Sequence, residues 1–196
     1  MFCTSLLPLL SENKEDIKKL EQIKKDFSKL MKKEMQLMWA KKLGLEKYNE
    51  TLTNELFKLM VISKTDFTIF FRKLSHIPIN ISFLKESFYL PLTEELEKKW
   101  NIWLKKWHGY INKYNNPKKI SQSMKQANPK YTWREWMIAP AYEEAEQGNY
   151  NLIKELQSIL SNPYEEQSLE ISQKYDRLKP REFFNRGGIS HYSCSS

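Results

Sequence analysis

The sequence predicts an all-α protein, a bundle of about six or seven helices with an irregular C-terminal tail. Apolar residues recur every three or four positions along most of the chain, which is the spacing of one helix face. Only five glycines occur in 196 residues, whereas folds built from many tight turns use more. A hydrophobic content of 40% with 13% aromatic residues provides for a core and excludes a disordered chain.

The first predicted helix runs from Lys14 to Lys42, and Gly44 ends it. Its apolar residues fall on one face: Ile17, Leu20, Ile23, Phe27, Leu30, Met31, Met35 and Met38. An apolar face beside a basic one also suits an anionic membrane surface. The interspersed acids weaken that attraction, and we expect packing within a bundle instead.

Two shorter helices are predicted next. One covers Thr53 to Val61, and Thr65-Asp66 has the character of an N-cap for a third helix that continues through Leu74. Pro78 closes this third helix. Residues 77–92 are apolar without a clear period, and we expect a connector there with one short helix.

A tryptophan-rich helix is predicted after Thr93, which serves as its cap. Trp100, Trp103 and Trp107 share one face of it, together with Leu96 and Leu104. Such a stripe offers a stacking platform for bases or sugars, but aromatic stripes more often pack against neighbouring helices. We expect these indoles in the core.

The C-terminal third contains two further predicted helices and a tail. Tyr131 to Gln147 forms the first, in which Pro140 should produce a kink or a restart. Asn151 to Leu160 forms the second, and the pattern dissolves from Tyr164 onwards. We therefore predict a helical domain over residues 1–176 and a tail over residues 177–196.

The formal charge of +8 comes mainly from lysine, since only five of the 32 basic residues are arginine. Nucleic-acid recognition relies on the bidentate arginine fork, and the lysines here alternate with acids as on a solvated helix face. No apolar run approaches the roughly 20 residues of a membrane helix. We expect neither a nucleic-acid nor a membrane partner, and the chain has no visible targeting signal.

No residue is predicted to be catalytic, to bind a cofactor or to ligate a metal. Asp66-Phe67-Thr68 is similar to the metal-binding Asp-Phe-Gly of kinases, but it has no glycine and no preceding catalytic-loop motif. An Asp at a helix start is explained by capping. His76, His108 and His191 are far apart, and none has a second ligand at metal-binding spacing.

Two cysteines, Cys3 and Cys194, stand at opposite ends of the sequence and predict neither a disulfide scaffold nor a zinc site. They favour a reducing compartment. Cys194 is third from the end, where a thiol is accessible, and it is the one candidate functional group that position alone indicates. The alternative is an inert tail thiol.

Several short stretches, spread over the chain from about Leu7 to its last residue, form a recognisable set. The stretches are Lys42-Leu43-Gly44-Leu45, Asp66-Phe67-Thr68, Phe71-Arg72-Lys73-Leu74-Ser75, Asn128-Pro129-Lys130-Tyr131, Arg134-Glu135-Trp136-Met137, Ala145-Glu146-Gln147-Gly148-Asn149-Tyr150, Asn162-Pro163-Tyr164 with Glu166-Gln167, Arg177-Leu178-Lys179-Pro180, and the ending from Gly187 to Ser196. Together, and in this order, they resemble the selenoprotein O family of protein adenylyltransferases.

The resemblance implies the C-terminal part of a kinase-like fold. Members transfer AMP from ATP onto Ser, Thr or Tyr of protein substrates, and this chemistry uses ATP and Mg²⁺. The motifs that would hold the nucleotide and the metal lie upstream of the matched region in the family. We therefore expect a truncated product, a partial gene model or a deliberately shortened chain that is inactive alone and packs against the missing kinase-like lobe.

The resemblance also implies a redox tail. Cys194 matches the position of the selenocysteine of some animal members and of a cysteine in many others. Where selenocysteine members have a cysteine three residues earlier, this chain has His191, so an intrachain Cys-x-x-Cys pair is excluded. A bond from Cys194 to the catalytic part is the implied hypothesis, with Cys3 as the sole candidate inside this chain.

By the same resemblance, the location is mitochondrial for a eukaryotic source and cytoplasmic for a bacterial one. The alternative to the whole interpretation is a free-standing helical module that binds a protein partner and has no catalytic activity.

Overall fold

The computed structural model describes residues 5–10, 14–111 and 116–185. Eight α-helices lie in these ranges, with no β-strand apart from an isolated antiparallel bridge between Thr65 and Phe88. The helices are α1 (Lys14–Lys42), α2 (Glu50–Ile62), α3 (Phe67–Leu74), α4 (Glu94–Ile111), α5 (Pro117–Ala127), α6 (Glu135–Glu146), α7 (Asn151–Ser161) and α8 (Leu169–Tyr175), and 3-10 turns cover Leu7–Leu9, Ile81–Ser87 and Arg181–Phe183. The all-α prediction is confirmed.

A first core forms where α2, α3, α4 and the turn Ile81–Ser87 pack together with the end of α1. Trp100, Trp103 and Trp107 of α4 are at most 1% exposed and lie at its centre, as predicted. Each indole N–H donates to a buried acceptor, namely Ser63 Oγ at 2.8 Å, Leu52 O at 3.0 Å and Leu43 O at 2.8 Å. These bonds satisfy the polar atoms that burial would otherwise leave unpaired.

The helix starts confirm two predicted caps. The Asp66 carboxylate accepts from Ile69 N at 3.0 Å at the start of α3, and Thr93 Oγ1 accepts from Leu96 N at 3.3 Å at the start of α4. The connector contains the expected short element as the turn Ile81–Ser87.

Helix α5 was not predicted. Asn116 caps it and Pro117 occupies its first turn, but Ile120 and Met124 are its principal apolar residues, too few for a clear period. It packs on α1, close to Gly44, which ends α1 with φ +65°. A Cβ at Gly44 would lie 2.7 Å from Met124 Sδ, so this position requires glycine for space as well as for backbone conformation.

A second, smaller core lies between α6, α7 and α8 and includes Tyr131 and Tyr175. Helix α6 starts at Glu135 rather than Tyr131 and contains Pro140 within one continuous helix. Of the two predicted outcomes at Pro140, the restart does not occur and the kink stays a prediction. Helix α8 lies in a stretch predicted to be irregular; it has seven residues and buries only Tyr175, which left little pattern to detect. The division between a domain and a tail at residue 176 stays a prediction.

Candidate functional site

The N-terminal part of α1 carries an apolar face that nothing in the described chain covers. Every residue from 21 to 35 is exposed, including Ile23 at 60%, Phe27 at 60% and Leu30 at 55%. We call the exposed set the α1 stripe; it comprises Ile23, Phe27, Leu30, Met31, Met35 and Leu37. The predicted apolar face therefore exists, but between residues 21 and 35 the described part of the chain provides no bundle packing for it.

The α1 stripe lies mostly on the part of α1 that precedes its buried end. At 3.6 residues per turn, Ala40, which is buried, lies about 140° around the helix from Phe27. The 22 residues from Lys14 to Met35 span about 33 Å at 1.5 Å per residue. One end of α1 thus packs on α5, and the other presents a long apolar surface.

A cluster of charged and polar residues joins the two cores. We call it the polar seam; it comprises Lys42, Arg72, Ser75, Asn128, Lys130, Glu166 and Asp176. Arg72 of α3 is 5% exposed, and its guanidinium donates to Asn128 O at 3.2 Å and to Glu166 Oε1 at 2.7 Å. Lys130, at 10% exposed, donates to the other carboxylate oxygen of Glu166 at 2.7 Å. Glu166 therefore bridges two largely buried cations while it is itself 58% exposed.

These contacts set the charge states in the polar seam. Partial burial acts to raise the pKa of Glu166, but hydrogen bonds from Lys130 and Arg72 and their charges outweigh it and lower that pKa to about 2. Burial raises the pKa of Asp176, against the opposing charge of Lys130 3.6 Å away. At neutral pH the Glu166 carboxylate is therefore ionised between its two cationic partners.

Asn128 ties three helix ends together within the polar seam. Its amide nitrogen donates to Lys42 O at 2.9 Å and to Ser75 Oγ at 3.1 Å, and its amide oxygen accepts from Lys42 Nζ at 3.1 Å. Lys42 also lies over the rings of Phe67 and Phe71 at 5.4 and 5.3 Å. Burial lowers the pKa of Lys42.

Asp66 serves in a second ion pair between the cores. Its carboxylate accepts hydrogen bonds from both terminal nitrogens of Arg134, at 2.7 and 2.9 Å, and from the hydroxyl of Tyr89 at 3.1 Å. With Asp66 only 7% exposed, this arrangement gives it a structural role in addition to the predicted cap. Among the described residues no group of three His, Cys, Asp or Glu side chains is placed to hold a metal.

The other candidates from the sequence are scattered. His76 borders a cavity beside the polar seam. Burial is the main cause that lowers the pKa of His76, and the charges of Lys125 and Arg72 lower it further. His108 contacts Pro78 O through Nε2 at 2.9 Å. Cys194, Cys3 and His191 lie outside the described residues, so the redox candidate stays a prediction. No helix in the described ranges combines the length and the apolar character needed to span a membrane.

Sequence reasoning did not predict the polar seam. Arg72 and Glu166 are 94 positions apart, and charged residues at such a distance carry no periodic pattern. A signal was nevertheless present, because Arg72, Asn128, Lys130, Arg134 and Glu166 all belong to the stretches that carry the family resemblance.

Comparison with known proteins supports that resemblance. Residues 1–161 match the family model described as protein adenylyltransferase SelO. The chain is 31% identical to the protein nucleotidyltransferase YdiU of Tolumonas auensis over 87% of this chain and 34% of that protein. It is 33% identical to the YdiU protein of Flavobacterium johnsoniae over 98% of this chain and 38% of that protein.

The chain thus spans about a third of the length of these curated relatives. The match covers both the first core and the helix α1 that carries the uncovered stripe. On this evidence the chain belongs to the SelO family of protein adenylyltransferases.

Proposed function

We propose that this chain is the helical C-terminal part of a protein adenylyltransferase and that the α1 stripe packs against the kinase-like part of the same enzyme. The uncovered apolar face carries this proposal, because monomeric proteins rarely expose a contiguous apolar surface of this kind. The share of the relatives that the chain spans supports it, since most of their length has no counterpart here.

In this proposal the kinase-like part binds ATP and Mg²⁺ and transfers AMP to Ser, Thr or Tyr hydroxyls of protein substrates. The reaction forms a phosphodiester on the hydroxyl oxygen, releases pyrophosphate, and frees the hydroxyl proton. The present chain supplies the scaffold on which that part rests and has no catalytic role alone. Incubation of the purified chain with radiolabelled ATP, Mg²⁺ and a protein substrate should give no labelled product; incorporation above a no-protein control would contradict this assignment.

The docking surface itself is tested by binding. We expect the doubly substituted chain Ile23→Ala/Phe27→Ala to bind the separately prepared kinase-like part at least tenfold more weakly than the unchanged chain. The matched control is Lys25→Ala/Lys29→Ala, whose positions are exposed and lie on the other side of α1. Equal weakening by both pairs would show that the α1 stripe is not the docking surface.

Two further features of the proposal rest on the family alone. One is a redox function of Cys194: a peroxide would oxidise its thiol and a thiol of the kinase-like part to a disulfide, taking up two electrons and two protons to form water. The thiol count of the full-length enzyme should then fall by two on oxidation. The other is location, mitochondrial or cytoplasmic according to source, which fractionation of the source cells would check.

The alternative function is a free-standing module that binds another protein through the α1 stripe. The exposed lysines on the other sides of α1 favour this alternative, since they would keep an unpartnered helix in solution. The mass of the native protein separates the two. A species well above 23.6 kDa supports the adenylyltransferase, whereas a species at 23.6 kDa supports the module.

A further inference from the structure

A cavity of about 330 Å³ lies beside the polar seam, in the size range of small-molecule sites. Its wall contains four cationic residues, Arg72, Lys73, Lys125 and Lys130, but only two acids, Glu166 and Asp176. Even with Glu86, which pairs with Lys73 at 2.6 Å, positive charge is in excess. The surplus favours an anionic ligand.

The cations of this cavity are built into the fold. The side chains of Arg72 and Lys130 are 5% and 10% exposed, and backbone carbonyls at the end of α5 hold the Arg72 guanidinium in place. Arg72 Nε is buried and has no hydrogen-bond partner within the described residues. Lys130 is held in place as well, since its ammonium also donates to Ser172 Oγ at 2.9 Å and lies 3.6 Å from Asp176. These two fixed cationic groups form a receptor for oxyanion oxygens, for which guanidinium and ammonium groups are the usual protein donors.

The present occupant of that receptor is the Glu166 carboxylate. Its two oxygens take one hydrogen bond each from Arg72 and Lys130, both at 2.7 Å, as two oxygens of a phosphate group would. Unlike its partners, Glu166 is 58% exposed and lies in the segment between α7 and α8. A soluble ion can therefore reach the same position when this side chain turns outwards.

We propose that this cavity is a binding site for a small phosphate-class oxyanion and that the Glu166 carboxylate occupies the oxyanion position when no ligand is bound. The free ion and a phosphate ester offer the same oxygens to Arg72 and Lys130. Binding exchanges one set of charge-assisted hydrogen bonds for another, so the ligand competes with Glu166.

The test compares Glu166→Gln with the unchanged chain. The substitution keeps the size of the side chain and removes its charge, so it weakens the internal competitor. We expect inorganic phosphate, measured by isothermal titration calorimetry at constant ionic strength, to bind the variant at least fivefold more tightly than the unchanged chain. Glu165→Gln is the matched control, since Glu165 is an exposed neighbour outside the cavity wall, and it should bind phosphate as the unchanged chain does.

A second variant checks the cationic wall without disturbing the buried residues. Lys125→Met in the Glu166→Gln background should reduce phosphate affinity at least threefold, because it removes one cation of the cavity. Phosphate also stabilises proteins non-specifically. Melting temperatures in phosphate and in chloride should therefore differ more for Glu166→Gln than for Glu165→Gln, and an equal difference would overturn the proposal.

Titrations with AMP and pyrophosphate distinguish the sources of the anion. Binding of AMP more tightly than inorganic phosphate would assign the site to a phosphate ester, and binding of phosphate or pyrophosphate more tightly than AMP would assign it to a free ion; both results support an oxyanion site. Binding of AMP without any binding of inorganic phosphate or pyrophosphate would overturn it, as would equal phosphate affinity in the two glutamine variants. The outcome is independent of the proposed function, since the assay measures neither AMP transfer nor docking.

Discussion

The two ends of α1 have a similar apolar spacing but different surroundings. At the C-terminal end Ala40 is buried and Trp39 packs on Phe57 with ring centroids 4.7 Å apart, whereas residues 21–35 are exposed on all sides. Periodicity thus predicts that a helix has an apolar face, but it does not predict which part of a protein covers that face. The distinction separates a body, formed by the two cores and the polar seam, from an arm, residues 21–35 of α1, that the described residues leave uncovered.

The largest expected difference between body and arm comes from one substitution made in each. Leu43→Ala removes a fully buried side chain and should lower the free energy of unfolding by about 2–5 kcal/mol. Leu30→Ala removes a side chain that is 55% exposed and should change it by less than about 0.5 kcal/mol. Urea unfolding of both variants checks this, and similar losses would mean that the arm is covered in solution.

Glycine positions sharpen the comparison at the point where α1 enters the body. Gly44→Ala combines a positive φ with contacts below 3 Å to Met124 and Ile120. We expect it to lower the free energy of unfolding by about 2–4 kcal/mol. Gly148→Ala is the control, because its φ is +82° but no atom lies near the added Cβ. Gly148→Ala should lower the free energy of unfolding by about 1–2 kcal/mol. Thermal unfolding of the two variants measures the packing contribution as the difference.

Acid should weaken the ion pairs that Glu166 forms with Arg72 and Lys130 in the body. The lowered pKa of Glu166 means that its contribution to stability is complete above about pH 4.5 and is lost as the pH falls towards about 2. Because Glu166 is largely exposed, we expect this contribution to be about 1 kcal/mol or less. In Glu166→Gln the stability should fall less steeply between about pH 5 and about pH 2; an unchanged slope would exclude Glu166 as a source of acid sensitivity.

The smallest free energies of local opening are expected in the arm itself. Isolated helices shorter than about 12–15 residues are marginal in water, and no contact within the described ranges buries residues 21–35. Amide hydrogen exchange should therefore show opening free energies below about 1 kcal/mol in this stretch and much larger ones around Trp103. Addition of the kinase-like part should protect the arm, and the absence of such protection would argue against docking there.

The sequence predicted those parts of the fold that depend on neighbouring residues. The long helix, the Asp66 and Thr93 caps and the buried tryptophans follow from spacing and local chemistry, and each is confirmed. Helices α5 and α8 were missed because each buries only one side chain, Met124 in α5 and Tyr175 in α8, which leaves too little apolar pattern to detect. The helix start at Tyr131 was wrong by four residues, since Tyr131 is buried through the second core and not through a helical turn.

The candidate site was harder to predict for a physical reason. The polar seam depends on charges that come together only after both cores have formed, and their spacing in the sequence reflects the path of the chain. The sequence predicted the apolar face of α1, but it also predicted that other helices would cover this face. The family resemblance pointed to the residues of the polar seam before their contacts were known, although it gave no reason for them.

The separation between Arg72 and Glu166 also has a consequence during synthesis. The ribosome adds about 5–20 residues per second, so Arg72 emerges roughly 5–20 s before Glu166, which is 94 residues later. The first core can assemble in that interval, well before the carboxylate that will pair with its buried guanidinium has been made. For those seconds the nascent chain contains an arginine without its carboxylate partner, and the arrival of Glu166 supplies that partner.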